Sequence, residues 1–372
     1  MPQPDHIRVI LSGGGTGGHI FPAIAIANAI KARIPGSEFL FVGAKGRMEM
    51  EKVPAAGYAI QGLWISGFQR KLTLDNLSFP FKVVSSLVKA RSIIKNFRPD
   101  LVIGTGGYAS GPTLRAAASM GIPTLIQEQN SFPGITNKLL AKKVQRICVA
   151  YEGMEKFFPA DKIKLTGNPI RQDILSFTGS KNEALKAFGL KEGPATLLVV
   201  GGSLGARTIN QSILKGLEEL SINKLQVLWQ TGKSFAETAA EAVKPYTGKG
   251  IVTMPFISRM DQAYAAADIV ISRSGAIAIS ELCAVGKPVI LVPSPNVTED
   301  HQTKNTLALT AKNAAIMVKD AEASQKLVEE VIKLAGDITL QEELKTNIMK
   351  LAHPDAAADI AEEALGLLGK QY

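Results

Sequence analysis

Cysteine is scarce. The 372 residues hold only two, Cys148 and Cys283, far apart and each inside an apolar run. That excludes a disulfide framework and fits buried thiols in a reducing compartment. Aromatics are only 6% of the chain, too few for a base-stacking platform, and there is no zinc-finger or RNA-module signature, so no nucleic-acid partner is expected. No apolar stretch approaches the roughly 18 residues that a membrane-spanning helix needs. The start, MPQPDHIRVIL, is too short and polar for a signal peptide, so none is expected. No G-x-x-x-x-G-K-[ST] occurs, which removes Walker-type nucleotide hydrolysis. No Asp-x-Asp metal–nucleotide motif occurs either, so no metal or cofactor is expected. Low-complexity segments and short repeats are also missing.

What is present is a globular composition, 46% hydrophobic and 20% charged, with a formal net charge of +9. That length suggests two domains. The positive balance favours anionic partners, whether nucleic acid, phosphorylated substrates or an anionic membrane surface, and charge alone does not choose among them.

Short β-rich runs alternate with helical patterns. The runs are 7–11, 39–43, 101–104, 124–127, 196–200, 227–230, 268–272 and 288–292, with helices such as 23–32 and 304–312 between or after them. This alternation predicts parallel, doubly wound α/β sheets. It restarts midway: Ile7–Gly15 and Thr196–Gly205 each read as strand, glycine turn and helix. Two Rossmann-like domains facing each other across a cleft are expected. The junction is placed near Thr166–Arg171, where Gly167 and Pro169 interrupt any element. The boundaries are 1–166 for the first domain, joined by a C-terminal helix at 354–372, and 167–353 for the second.

Gly13-Gly-Gly-Thr-Gly-Gly-His19 follows a strand and opens a helix. Glycines let backbone N–H groups approach an anion, and the helix N-terminus adds partial positive charge. Gly13, Gly15 and Gly18 also match the dinucleotide fingerprint. The acidic residue that an NAD site wants after the second strand is missing, although Lys45 or Arg47 could serve NADP. His19, one of four histidines, sits at the expected helix start. It reads either as a packing residue or as a general base, since a helix N-terminus favours the neutral imidazole.

In the second half, Asp268–Glu281 reads as strand, tight turn and helix. Ser274 and Gly275 at the helix start could hold a diphosphate, and Glu281 two turns on could accept ribose hydroxyls or stand as a plain surface acid. Gly201–Arg207 is a second phosphate-type loop, and Pro255–Ile257 could set a ring beside a nucleobase. The stretch 66–98 carries seven basic residues against one acid, Asp75. Apolar residues interleave with them, so it reads as a solvated helix face or as a lipid-docking surface.

Six motifs in order make the pattern specific: Gly13–Pro22, Gly104–Pro112, Gln127–Asn130 with Asn137-Lys138, Gly167–Arg171, Ser272–Ala276 and Asp300–Gln302. Together they resemble the MurG family, bacterial UDP-N-acetylglucosamine transferases that convert lipid I to lipid II. The resemblance covers nearly the whole chain. It implies a GT-B fold and inverting transfer to the C4 hydroxyl of an undecaprenyl-diphosphate-linked muramyl sugar. It also implies a peripheral place on the cytoplasmic side of the cell inner membrane, where other cell-wall enzymes are candidate partners. By motif, Ser203, Phe256, Ile257, Arg273, Ala276, Ile277, Ala278, Ile279, Ser280, Glu281 and Gln302 would contact the donor, and Arg171 its diphosphate. Thr16, Gly17, Gly18 and Asn130 would meet the donor sugar and acceptor. His19, Tyr108 and Glu128 would line the acceptor side, with His19 as base and Glu128 as runner-up. His301 precedes Gln302 where some members carry a second glutamine. An NADP oxidoreductase and a non-catalytic nucleotide-sugar binder are the competing classes.

Overall fold

The computed structural model describes residues 5–66 and 79–369. Two compact units result. The first runs to Ile170 and takes the chain back from His353 onward; the second is Arg171–Ala352.

The first unit is built on a seven-stranded, all-parallel sheet. Its strands are β1 (Arg8–Gly13), β2 (Glu38–Ala44), β3 (Ala59–Leu63), β4 (Leu101–Gly106), β5 (Thr124–Glu128), β6 (Arg146–Val149) and β7 (Ile163–Leu165), in the order β3-β2-β1-β4-β5-β6-β7. Strand alternation decides which layer each residue joins. Val9, Leu11, Phe41, Ile103 and Cys148 pack under the helix Gly17–Arg33 and the C-terminal helix Ala356–Leu365. Ile10, Leu40, Val42, Val102 and Ile126 face the other way, against Ala90, Ile93 and Ile94 of the helix Phe79–Phe97 and Leu114 of the helix Ser110–Ser119. Both faces are covered, so the strands read as continuous apolar runs rather than alternating ones. The C-terminal helix is also clipped on by charge. Glu363 pairs with Arg146 at 3.0 Å and Lys164 at 3.3 Å.

The second unit repeats the plan with six parallel strands. These are β8 (Thr196–Val200), β9 (Gln226–Gln230), β10 (Ile251–Met254), β11 (Ile269–Ser272), β12 (Val289–Leu291) and β13 (Ile316–Met317), ordered β10-β9-β8-β11-β12-β13. Its core surrounds Trp229, whose indole N–H is not stranded: it donates to Asn210 Oδ1 at 3.0 Å.

In each sheet the chain reverses its winding direction once, between β1 and β4 and between β8 and β11. Adjacent strands at that point send their following loops to opposite faces, opening a crevice at the carboxyl edge. Both glycine loops sit there.

Candidate active site

In the second unit, a cavity of about 660 Å³ opens at the carboxyl edge of the sheet. That falls within the ordinary range for a small-ligand site, roughly 300–1,000 Å³. Its wall is made by the loops after β8, β10, β11 and β12 with Gln230 at the end of β9, so five separated segments meet at one place. Arg171, Ser203, Phe256, Ile257, Arg273, Ala278, Glu281 and Gln302 all line it. The helix Ala276–Val285 contributes Gly275 at its cap, then Ala278 and Glu281 at a spacing of three. Ile279 turns into the core instead, and Ala276, Ile277 and Ser280 are half-buried off the cavity wall.

Two glutamines lace the loops together. Gln230 donates from Nε2 to the Gly202 carbonyl at 3.0 Å and accepts the Ile257 N–H at 2.8 Å. Gln302 Oε1 accepts the N–H groups of Ser294 at 2.8 Å and Ser274 at 3.2 Å. Gln302 was legible from its motif; Gln230 was not, because nothing in a strand-end glutamine marks its two partners. Phe256 is half exposed at the rim, a free aromatic face.

The charges are few and placed. Arg171 Nε donates to Glu281 Oε1 at 3.2 Å. Burial raises the Glu281 carboxyl above the usual range, with the Arg171 charge and hydrogen bond pulling the other way. Tyr264 also lines the wall, and burial pushes its phenol up, with Glu281 adding to the shift. Arg273 is committed elsewhere. Its Nη1 donates to Asp320 Oδ1 at 2.5 Å and to the carbonyl of Val292 at 3.0 Å. Asp320 in turn accepts the Thr208 hydroxyl at 3.0 Å. Arg273 therefore braces the wall, while Arg171, with 43% of its side chain exposed, is the more available cation. The helices Arg207–Lys215 and Ala276–Val285 have no acid in the first turn and no side-chain cap, so their N-terminal donors keep their positive character.

In the first unit, the loops after β1, β4 and β5 converge. The Thr105 hydroxyl donates to the His19 carbonyl at 2.7 Å, and His19 Nδ1 lies 2.9 Å from Gln129 Oε1. Gly106, at φ +101°, is pressed on the imidazole: a Cβ there would stand 2.8 Å from His19 Cε1. Thr16 is the exposed N-cap of the 17–33 helix, with Gly17 and Gly18 half-buried in its first turn. Tyr108 is half exposed and Asn130 half-buried.

In the first glycine loop, part of the backbone is already held by a side chain of the protein. The buried Glu49 carboxylate accepts the Gly15 N–H at 2.9 Å and the Ala44 N–H at 3.0 Å, and the Gly14 N–H goes to the Gly106 carbonyl at 3.3 Å. A Cβ on Gly14 would collide with the Glu49 carboxyl group. Gly14 and Gly15 thus pack closely against this side chain.

Glu128 is 2% exposed. It accepts from the Asn130 N–H at 3.0 Å, Asn130 Nδ2 at 3.3 Å, the Gly134 N–H at 3.2 Å and Asn137 Nδ2 at 2.8 Å. Burial raises its carboxyl above the usual range in spite of those four donors. Glu128 thus pins the 130–137 turn. Stranding a buried donor costs about 1–3 kcal/mol, and for a unit of this size each kcal/mol moves the midpoint by about 2–4 °C. Glu128→Ala should therefore lower the thermal unfolding midpoint by several degrees, a loss that differential scanning calorimetry would register.

Two parallel doubly wound units, one with a cavity at its switch point, are the architecture of the GT-B fold. The chain belongs to glycosyltransferase family 28: the N-terminal domain of that family matches residues 9–149 and the C-terminal domain residues 196–360. A relative from Cytophaga hutchinsonii is 58% identical, covering 99% of both chains. It is named UDP-N-acetylglucosamine–N-acetylmuramyl-(pentapeptide) pyrophosphoryl-undecaprenol N-acetylglucosamine transferase. The Parabacteroides distasonis protein of the same name is 56% identical over 98% of this chain and 99% of its own. The crystal structure of Acinetobacter baumannii MurG superposes with a TM-score of 0.80 at 28% identity, covering 98% of this chain and 100% of that one.

Proposed function

We propose that this chain transfers N-acetylglucosamine from UDP-N-acetylglucosamine to the C4 hydroxyl of the muramyl sugar of an undecaprenyl-diphosphate-linked pentapeptide acceptor. The observation that carries this reading is the full-length match, at 58% identity, to a transferase of that name. The cavity supports it, since Glu281, Phe256, Arg171 and the 201–205 loop line one space; in this reading Glu281 accepts ribose hydroxyls, Phe256 covers the base, and Arg171 with the loop meets the diphosphate.

Inversion requires a single displacement. His19 takes the proton of the C4 hydroxyl, that oxygen attacks the anomeric carbon, and UDP leaves from the opposite face. Charge then accumulates on the diphosphate, where Arg171 and the uncapped N-termini of the 207–215 and 276–285 helices stabilise it. Glu128 is less suited to be the base because its oxygens already hold four donors. Thermal shift tests the donor half: UDP-N-acetylglucosamine should raise the midpoint and NADPH should not. The reverse result would restore the oxidoreductase reading.

The acceptor is lipid-linked, so the enzyme works at a membrane. Among the described residues no helix is long and apolar enough to cross one. The helix Phe79–Phe97 instead exposes Phe81, Val84 and Val88 along one face, and Arg91 and Lys95 continue it. Exposed Trp64 lies beside it, with Lys82 Nζ 5.8 Å from its ring centre. Phe68, Arg70, Lys71, Leu72 and Asp75 of the basic stretch lie outside the described residues. This face fits peripheral docking on the anionic cytoplasmic surface of the inner membrane, where each basic residue contributes roughly 1 kcal/mol. Replacing Phe81, Val84 and Val88 by serine should sharply reduce co-sedimentation with anionic vesicles while UDP-N-acetylglucosamine binding stays unchanged. Undiminished sedimentation would place docking elsewhere.

A further inference from the structure

The imidazole of His19 can carry its proton on either ring nitrogen, and only one tautomer leaves a lone pair on Nε2. A chain of buried amides decides between them. Gln129, 1% exposed, donates the two hydrogens of Nε2 to the backbone carbonyls of Thr105 at 2.7 Å and Gln127 at 3.1 Å, and Gln127 Oε1 lies against the same nitrogen. Three acceptors around one atom require that atom to be the NH₂ group. Two of the three are main-chain carbonyls, which cannot change role. The other end of the amide, Oε1, therefore faces His19 Nδ1 at 2.9 Å.

The neighbours are fixed in the same sense. Gln127 Nε2 donates to Asn168 Oδ1 at 2.8 Å, and Asn168 Nδ2 donates to the Gln129 carbonyl at 3.0 Å. Each amide orientation is forced by the next, and the set terminates on backbone carbonyls. Gly106 lies against the Nδ1–Cε1 edge of the ring, and only the absence of a Cβ there, which would stand 2.9 Å from Nδ1, leaves the imidazole its place beside Gln129.

We infer that Gln129 is a positioning residue for the reaction: it holds the proton of neutral His19 on Nδ1 and so presents the lone pair of Nε2 to the acceptor hydroxyl. This rests on the reading of His19 as the base. Nδ1–H is the less common tautomer of a histidine in water, so the environment has to select it. A carbonyl acceptor at Nδ1 is the usual way to do so.

Nitrogen-15 NMR of the ring reports the tautomer directly. The chain has only four histidines, and His19→Ala assigns the signal. In the wild-type protein at a pH where His19 is neutral, Nδ1 should show the protonated shift and Nε2 the lone-pair shift. In Gln129→Met, which keeps the length of the side chain but not its acceptor, the Nε2–H form should appear. There kcat should fall about 10–100-fold with KM for UDP-N-acetylglucosamine little changed. An Nε2–H tautomer in the wild type, or unaltered tautomer and kcat in Gln129→Met, would overturn the inference. The wild-type spectrum decides even if the variant does not fold. Full turnover by His19→Ala would count against His19 as base, while the spectrum would still report what Gln129 does to the ring.

Discussion

His19→Ala should lower kcat by about 10²–10⁴-fold, the usual contribution of a positioned base, and leave the melting midpoint nearly unchanged. The side chain is half-buried and bonds through Nδ1 to Gln129, whose amide oxygen water can meet once the imidazole is gone. KM for the donor should hardly move, because the donor cavity belongs to the other unit. Steady-state kinetics with saturating acceptor separates these terms. The contrast with Glu128→Ala is the useful part. There the fold should suffer first, because a pin of the 130–137 turn has been taken out. If instead His19→Ala kept near-normal turnover and Glu128→Ala lost it with an intact fold, the roles would be reversed.

Arg171→Ala should weaken UDP-N-acetylglucosamine binding by about tenfold to a hundredfold, the equivalent of one charge-assisted hydrogen bond of about 1.5–3 kcal/mol. At a pH where Glu281 stays ionised, the same change should barely affect uridine, which has no diphosphate. Glu281→Gln should weaken uridine and UDP alike, since its proposed partner is the ribose. Isothermal titration with the three ligands distinguishes the two residues. Arg171→Ala has a second consequence, because it leaves the Glu281 carboxylate mostly buried without its cation. The Glu281 pKa, already raised by burial, then rises further. A raised carboxyl binds more protons folded than unfolded, so its contribution to stability is present at acid pH and is lost as pH rises through the folded value. The variant should therefore lose more stability than the wild type between mildly acid and neutral pH.

The two sheets were readable because their strands are buried on both faces and so appear as apolar runs. Thr196–Val200 is predicted and observed with the same bounds. The edge strand β13, two residues long, and the three-residue β7 offer no such run. The 17–33 helix begins two residues before His19, its expected start, because Gly17 and Gly18 enter it despite low propensity. Loops with a motif revealed the cavity wall, as with Ser203, Arg273 and Gln302. Partners brought in from far along the chain did not: Asp320 reaches Arg273 across 47 residues, and Glu49 reaches Gly15 across 34. The first glycine loop shows the limit plainly. Its glycines signal close approach, but sequence does not say to what, and at Gly14 and Gly15 the answer is the Glu49 carboxyl group of the protein itself.

The central claim is transfer to a lipid-linked muramyl acceptor, and isotope transfer tests it most directly. With UDP-N-acetylglucosamine labelled in the sugar and an undecaprenyl-diphosphate-linked muramyl pentapeptide, label should move into the lipid fraction, with UDP released in equal amount. The anomeric coupling of the product should show a β linkage. Label that stays in the nucleotide, appears as free sugar, or reaches the lipid in an α linkage would contradict the account.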